Sequence, residues 1–276
     1  MEITVGLFLI LFLFAFVCEF IDSSMGMGYG TILSPVLIIM GFEPLVVVPS
    51  ILLSQAFGGL TASIFHHQFR NVSFNRESRD FKAFLYISGF GIIATIFAAL
   101  ISINLPKVVL KSYIGLLVFI MGIIMLRKMN FKFSWKKLIG IGIISAFNKG
   151  ISGGGFGPVV TGGQIISGQN HKSAIGITTL AEAPICLVGF VTFLIGRTVM
   201  ELNGQVMDMP FSVFVQRLFA PHMFCWELLL ALILGSMFVS PFGAFTTRII
   251  HQKVLHYLVG IIITILGVLT LYETWF

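Results

Sequence analysis

Apolar residues recur along the chain in runs long enough to cross a lipid bilayer. A helix of about 20 apolar residues spans the hydrocarbon core. The runs that approach or reach this length cover residues 3–21, 45–65, 84–103, 108–126, 174–195, 223–245 and 254–272. Short polar turns separate most of them, and each half of the chain holds a similar number. The pattern predicts an all-α polytopic membrane protein.

Glycines interrupt the apolar pattern at residues 153–157, between the short apolar pieces 138–150 and 158–167. Each piece covers roughly 15–22 Å at 1.5 Å per residue, less than the ~30 Å of hydrocarbon. The two pieces therefore form either a broken spanning helix or a re-entrant hairpin, and their length favours the hairpin. Irregular backbone at this depth is tolerated only inside protein or beside a wet cavity.

A weaker copy of this break lies 127 residues earlier. The alternating glycines that superimpose are Gly26, Gly28 and Gly30 on Gly153, Gly155 and Gly157. The same offset places Asp22 on Lys149 and Gln55 on Glu182. We predict two repeats, residues 1–127 and 138–276, joined by a basic cytoplasmic linker at 128–137. Each holds one glycine-tipped re-entrant or broken helix pair and three spanning helices. With hairpins, the number of crossings in each repeat is odd, so the two repeats are inverted.

Composition and charge support a membrane protein. The chain is 57% hydrophobic and 10% charged, with a mean hydropathy of +1.01, which no ordinary soluble domain matches. The net charge of +6 lies mostly in short loops, so it indicates topology rather than nucleic-acid binding. With hairpins, the basic loops at 70–82, 127–137, 172 and 248–253 are cytoplasmic. Lys107, Lys111, Arg197 and Arg217 are then outside.

The glycine breaks favour a small anion as the substrate. Pro158 and Thr31 each follow a break and suit the first turn of a helix. Two helix N-termini would then meet at membrane depth, where their free N–H groups attract negative charge. Close helix packing is the alternative reason for the glycines. The predicted substrate-binding residues are Gly26, Gly28, Gly30, Thr31, Lys149, Gly153, Gly154, Gly155, Gly157, Thr178 and Thr179.

Ionisable residues at membrane depth are candidates for substrate neutralisation and ion coupling. Lys149 either neutralises the anion or pairs with Asp22 or Glu19 of the other repeat. Glu182, whose counterpart is Gln55, either carries a coupling proton or is a hydrogen-bonded packing residue. We expect Cys18, Cys186 and Cys225 to be buried small side chains and His66, His67, His251 and His256 to be solvated. The segment 197–221 is a long loop without a functional interpretation.

The motifs NKGISGGGFGPVVTGG and AIGITTLAEAP, together with the two-half plan, resemble the TauE/SafE family of sulfite and organosulfonate exporters. The resemblance covers essentially the whole chain. It implies ion-gradient-driven export of small sulfur-containing or carboxylated anions across the bacterial inner membrane, with protons as one candidate coupling ion.

No phosphate-binding loop, metal spacing or catalytic pair is evident, so neither a cofactor nor an enzyme activity is expected. A passive anion channel of the same architecture is the alternative, and the sequence leaves the oligomeric state open.

Overall fold

The computed structural model describes residues 3–126, 135–166, 169–202, 209–220, 225–249 and 252–276. These residues form eleven helices. In chain order they are α1 (Val5–Met25), α2 (Tyr29–Ile39), α3 (Pro44–Gln68), α4 (Arg79–Asn104), α5 (Lys107–Leu126), α6 (Trp135–Ser152), α7 (Phe156–Ile166), α8 (His171–Glu201), α9 (Phe211–Leu218), α10 (Trp226–Thr246) and α11 (Gln252–Trp275). Most of the predicted linker at 128–137, and His251, lie outside the described residues.

Seven of the described helices are long and apolar enough to cross a bilayer: α1, α3, α4, α5, α8, α10 and residues 256–275 of α11. Their outer faces carry large exposed apolar side chains, including Leu13, Phe97 and Ile265. Such a surface is covered by lipid in a membrane protein. The prediction of an all-helical, multi-pass membrane protein is confirmed.

Several helices extend beyond the predicted apolar runs, and two of these differences change the description of the hairpins. Helix α1 continues to Met25, since Ser23 Oγ and Ser24 Oγ donate to Glu19 O and Ile21 O at 2.6 and 3.0 Å. Helix α6 begins at Trp135, inside the predicted linker. With 18 residues it reaches about 27 Å at 1.5 Å per residue, so it is not a short arm.

The predicted loop at 197–221 is partly helical. Helix α8 continues to Glu201, and Arg197 donates from Nη1 to Leu45 O of α3 at 3.0 Å. The short helix α9 follows and has no buried residue; Phe211 is 80% exposed. A helix with such an unpartnered apolar side chain suits the membrane–water interface.

Helices α3 and α8 form the centre of the molecule. Helix α3 packs against α8 and α10, and α8 packs against α3 and α4. Helix α1 lies along α10, while α6 lies along α4, and α5 pairs with α11. In chain order α1–α5 correspond to α6, α7, α8, α10 and α11, so each of these contacts has a counterpart in the other half. Helices α2 and α7 cover ranges that differ by the predicted 127 residues.

The two helices around each break form a hairpin. A Cβ on Gly163 of α7 would lie 3.0 Å from Ile141 Cδ1 of α6, and a Cβ on Gly155 would lie 3.6 Å from Asn148 Cβ. A later residue at or after the start of α7 thus contacts an earlier residue of α6, so the two helices are antiparallel. The basis is a chain reversal at glycine, where a side chain would not fit the backbone.

In the first half, α1 and α3 both run parallel to α10. Moving along α1 from Ala15 to Ser23, the contacts on α10 advance from Gly235 to Gly243. Moving along α3, Ser54 O and Gly58 O accept hydrogen bonds from Ser236 Oγ and Ser240 Oγ of α10 at 3.1 and 3.0 Å. Helices α1 and α3 therefore run in the same direction, and α2, which connects them, runs back in the opposite direction. Of the two arrangements that the sequence allowed, the hairpin is the one observed.

Three of the basic loops, where the structure describes them, share one face of the helix bundle. Gln169 Nε2 donates to Asp80 Oδ1 at 2.9 Å, which brings the turn before α8 to the loop before α4. Arg248 Nε donates to Asn71 Oδ1 at 3.2 Å, which brings the end of α10 to the end of α3. We refer to this side as the basic face.

The opposite face carries the remaining short connections. Lys107 pairs with Glu43 there, joining the turn before α5 to the turn before α3. Arg197, near the end of α8, reaches Leu45 at the start of α3. These contacts also show that α3 and α8 run antiparallel, as expected if the two halves of the chain have opposite orientations.

Candidate functional site

The two glycine breaks meet in the interior of the bundle, backbone against backbone. A Cβ on Gly30 would overlap Gly153 O, and a Cβ on Gly157 would overlap Gly26 O. A Cβ on Gly154 would lie 2.9 Å from the backbone of Gly30. These three glycines are required for close packing of the breaks. Their predicted role in substrate binding stays a prediction.

Both breaks have glycines with positive φ at the same two positions of the repeat. Gly26 and Gly153 have φ of 72°, and Gly28 and Gly155 have φ of 134° and 78°. Such values strain any residue with a side chain. The alternation of glycine in the sequence therefore reflects a backbone requirement at the tip of each hairpin.

Hydroxyl groups link each break to the opposite hairpin. Ser34 Oγ of α2 donates to Ser152 O beside the second break, and Thr161 Oγ1 of α7 donates to Gly26 O in the first break, both at 2.7 Å. Ser34 and Thr161 differ by the repeat offset. Thr31 Oγ1 accepts from Gly155 N at 3.1 Å, so this predicted binding residue connects the two breaks.

A continuous polar network crosses the junction of the breaks. Lys149 Nζ lies 2.6 Å from Glu182 Oε1 and also donates to Gln55 Oε1. Gln55 Nε2 donates to Asp22 Oδ2 at 3.3 Å, and Tyr29 N donates to Asp22 Oδ1 at 3.1 Å. The four side chains Asp22, Gln55, Lys149 and Glu182 come from α1, α3, α6 and α8, and all are buried.

The network corrects one expectation. The carboxylate in contact with Lys149 is Glu182 of the same half, rather than Asp22 or Glu19, and the contact between Gln55 and Asp22 is its counterpart in the first half. Asp22 occupies the N-terminus of α2, the position predicted for the substrate anion at that helix. A carboxylate there satisfies free N–H groups and complements the helix dipole.

The two predicted threonines on α8 have different environments. Thr179 Oγ1 bonds back to Ile175 O of its own helix at 3.1 Å. Thr178 Oγ1 lies 2.9 Å from Thr161 Oγ1 and accepts from Gln164 Nε2 at 3.0 Å. Thr178 thus belongs to a buried polar group beside the first break. Gln164 was missed by the sequence analysis, although a glutamine within an apolar segment was a signal.

Glu19 lies one helical turn before Asp22 and is fully buried. Its Oε1 accepts from Ser240 Oγ at 3.3 Å. Within the described part of the chain, its Oε2 has no hydrogen-bond partner. Glu19 is therefore near the Asp22–Glu182 network but has its own surroundings.

His66 is buried, so the expectation of a solvated side chain was wrong. Its Nε2 lies 2.8 Å from Ser23 O, and Asn71 Nδ2 lies 3.0 Å from its Nδ1. Because a carbonyl oxygen only accepts, Nε2 carries the hydrogen and Nδ1 accepts from Asn71. The residues after α3 fold back over its last turn and shield this histidine, whereas His67 is exposed as expected.

The cysteines behave largely as expected. Cys18 and Cys186 are buried and free, and Cys225 is half-buried and free. Burial among apolar helices is the usual environment of such side chains.

A comparison with known proteins identifies a family that this chain matches. The sequence profile described as "Sulfite exporter TauE/SafE" matches residues 11–270. The chain is 26% identical over 280 residues to "Probable membrane transporter protein YtnM" of Bacillus subtilis (strain 168), and the match covers 96% of this chain and 84% of that relative. No solved structure matches the chain.

Proposed function

Since the chain belongs to the TauE/SafE sulfite exporter family of membrane transporters, we propose that it is a secondary transporter that exports a small anion. The proposed substrates are sulfite, an organosulfonate or a related sulfur or carboxylate anion, and the proposed location is the bacterial inner membrane. Transport, and not an enzyme reaction, is the activity of the family. The observation that carries the proposal is Lys149, a buried ammonium group where two glycine breaks meet.

The substrate anion binds beside Lys149 when the breaks separate. In the closed arrangement Glu182 and Gln55 take up the ammonium group. A buried cation without a partner is strongly unfavourable. Lys149 therefore pairs either with the Glu182 carboxylate or with the substrate anion. Glu182 and the substrate therefore compete for Lys149, and a proton on Glu182 ends that competition.

Alternating access requires the site to open to one side at a time. The contacts described between the hairpins α1–α2 and α6–α7 include their tips and short hydroxyl links, and the antiparallel course of α3 and α8 supports two halves inverted in the membrane. We place the basic face in the cytoplasm, following the excess of Lys and Arg in its loops. Rocking of one half against the other then exposes the junction to either face.

Anion binding is tested on the purified protein by thermal stabilisation with sulfite, sulfate, methanesulfonate and acetate. A ligand that binds the folded state raises the melting temperature by mass action. We expect one or two of these anions to stabilise the wild type and the control Lys107→Ala, whose lysine lies on the surface. The variant Lys149→Met/Glu182→Gln removes the buried charge pair as a unit and is expected to lose the response.

A melting temperature that rises equally in the Lys149→Met/Glu182→Gln variant would remove Lys149 from the site. Channel behaviour is tested separately in proteoliposomes. A passive anion channel, the alternative function, would conduct without any accompanying ion and would not show exchange of external for internal anion that saturates with concentration.

A further inference from the structure

Glu19 lies at a polar junction of α1, α3 and α10 that the proposed anion site does not use. A Cβ on Gly58 of α3 would lie 3.2 Å from Glu19 Cδ and 3.0 Å from Ser236 Oγ. The carboxyl group therefore rests directly on the α3 backbone. The oxygen Oε1 accepts from Ser240 Oγ, while Oε2 has no partner among the residues that the structure describes.

The hydroxyl groups near Glu19 have other acceptors. Ser240 Oγ lies 2.7 Å from Ser236 O and 3.0 Å from Gly58 O, both nearer than its 3.3 Å to the carboxyl oxygen. Ser236 Oγ lies 3.1 Å from Ser54 O. Each hydroxyl has a single hydrogen. The junction is thus rich in oxygen acceptors and poor in donors for a carboxylate.

The other half of the chain has apolar side chains at the equivalent positions of α6, α7 and α8, and the hydroxyl group of Thr95 on α4 there donates to Ala146 O at 2.9 Å. The repeat offset of 127 places Glu19 on Ala146, Ser54 on Ala181, Gly58 on Ile185 and Tyr29 on Phe156. All four counterparts are buried in one apolar cluster. Ile185 Cδ1 and Ala146 Cβ meet beside Gly91 of α4, where a Cβ would lie 2.6 and 3.1 Å from them.

The comparison of the two halves shows whether helix packing requires a carboxyl group at this junction. The same arrangement of helices forms without a carboxyl group in the other half, so the fold does not demand one at position 19. A buried, incompletely bonded carboxyl destabilises a protein. Its presence in one half only therefore points to a role in transport.

The charges around Glu19 indicate what it binds. The charged groups close enough to act on it are Asp22 of its own helix, Glu182 of α8 and Lys149 of α6. Helix α2 presents the phenol of Tyr29, and α3 and α10 present only neutral groups near it. Three carboxyl groups thus share one ammonium group, and Lys149 contacts Glu182 rather than Glu19. Two uncompensated negative charges at membrane depth are highly unfavourable.

We propose that Glu19 is a proton-binding site and carries the coupling proton of transport, an inference that rests on the proposed anion transport. A proton from water on one side binds a carboxylate oxygen of Glu19 and leaves to water on the other side. A proton requires no further ligands, and among the described residues Oε2 has no hydrogen-bond partner that would compete with it.

The electrostatics also give the direction of coupling. An anion that binds at Lys149 adds negative charge close to Glu19, and a proton on Glu19 reduces the resulting repulsion. Anion and proton therefore favour each other's binding and cross the membrane together. The exported anion leaves with a proton, so the gradient of the substrate drives the outward movement, in place of the ion-driven export that the family resemblance implies.

The test uses proteoliposomes loaded with methanesulfonate, a sulfonate that stays ionised, and a pH-sensitive dye inside. In the wild type, efflux of methanesulfonate is expected to make the interior alkaline because protons leave with the anion. In Glu19→Gln the ratio of protons to anions is expected to fall towards zero, whatever the rate of anion exchange. The matched control Glu43→Gln removes a surface carboxylate and keeps the ratio.

A second measurement does not depend on transport. The infrared carbonyl band of a protonated carboxylic acid is expected in the wild type at neutral pH, and its loss is expected in Glu19→Gln and in Glu19→Met. The second variant keeps the length of the side chain without polar atoms, so misfolding of one variant does not decide the result.

An unchanged proton-to-anion ratio in Glu19→Gln, a carbonyl band that keeps its full intensity in both variants, or efflux that requires sodium would overturn the proposal. Absence of methanesulfonate exchange in the wild type, with sulfite and acetate also inactive, would count against the proposed transport function. The infrared band would still report whether Glu19 holds a proton.

Discussion

At the scale of single residues, the buried charges are arranged as a chain of paired groups. Lys149 has two oxygen partners, and Asp22 receives one side-chain and one backbone hydrogen. The sequence predicted that these residues lie at membrane depth, and burial of all four network members agrees with that expectation. The partner of Lys149 was not predictable, because the distance between α6 and α8 depends on how the hairpin tips meet.

Removal of one member of the Lys149–Glu182 pair is expected to destabilise the fold more than removal of both. Breaking a buried pair leaves an uncompensated charge and costs about 3–5 kcal/mol, whereas neutral replacement of both partners is often tolerated. We expect Lys149→Met to unfold at a clearly lower temperature than Lys149→Met/Glu182→Gln, as measured by thermal unfolding in detergent. Lys107→Ala, at an exposed pair worth about 0–1 kcal/mol, serves as the control. Equal melting temperatures of the single and double variants would contradict a charged pair.

The competition between Glu182 and the substrate gives a second prediction at this scale. Glu182→Gln keeps the shape of the side chain and removes the negative charge that faces Lys149. The anion that stabilises the wild type is therefore expected to bind roughly tenfold more tightly, a gain of about 1.4 kcal/mol. Isothermal titration of the purified variant measures this change. Weaker binding in Glu182→Gln would show that Glu182 assists the anion instead of competing with it.

At the scale of helical elements, the glycine breaks are both turns and packing surfaces. The sequence predicted their position and their recurrence at an offset of 127, since no other residue supports a tight reversal at this depth. It predicted that the two tips face each other, but not that their backbones pack in direct contact, so that Gly30 and Gly157 are fixed by the opposite backbone. The hairpin form of each pair was favoured by length and is observed, although α6 is longer than expected.

Two glycines of α7 provide a matched test of this packing. A Cβ on Gly157 would overlap the backbone of the first break, whereas a Cβ on Gly162 would have no atom within 4 Å. Gly157→Ala is expected to lower the melting temperature and to abolish anion exchange. Gly162→Ala is expected to be neutral or to stabilise the helix by about 0.5–1 kcal/mol, because alanine has the higher helix propensity. Similar behaviour of the two variants would show that the breaks are loosely packed.

At the scale of the whole molecule, the two halves have matching helix partners and α3 crosses α8 in antiparallel fashion. Among the described residues, the basic loops before α4, before α8 and after α10 gather on one face, as the hairpin arrangement predicted. Inversion of the halves across the bilayer follows if this face is cytoplasmic. The predicted repeat boundaries at residues 127 and 138 stay predictions.

Orientation is tested by labelling single cysteines in intact cells. In a Cys225→Ser background, the buried Cys18 and Cys186 are expected to react slowly. An impermeant maleimide added outside is expected to label Lys107→Cys and to leave Glu77→Cys unlabelled until the cells are opened. Labelling of both positions from outside would exclude the proposed orientation, because one lies in the loop before α5 and the other in the loop before α4.

The sequence by itself determined the class of the protein, the number of long apolar helices, the two breaks and the residues at membrane depth. These properties follow from local pattern, since hydrocarbon thickness fixes helix length and backbone strain fixes the need for glycine. Tertiary structure alone decided which groups meet: the partner of Lys149, the capping of α2 by Asp22, the burial of His66 and the isolation of Glu19. Such contacts join positions far apart in the chain, and no local pattern specifies which of several buried polar groups is brought within hydrogen-bonding distance.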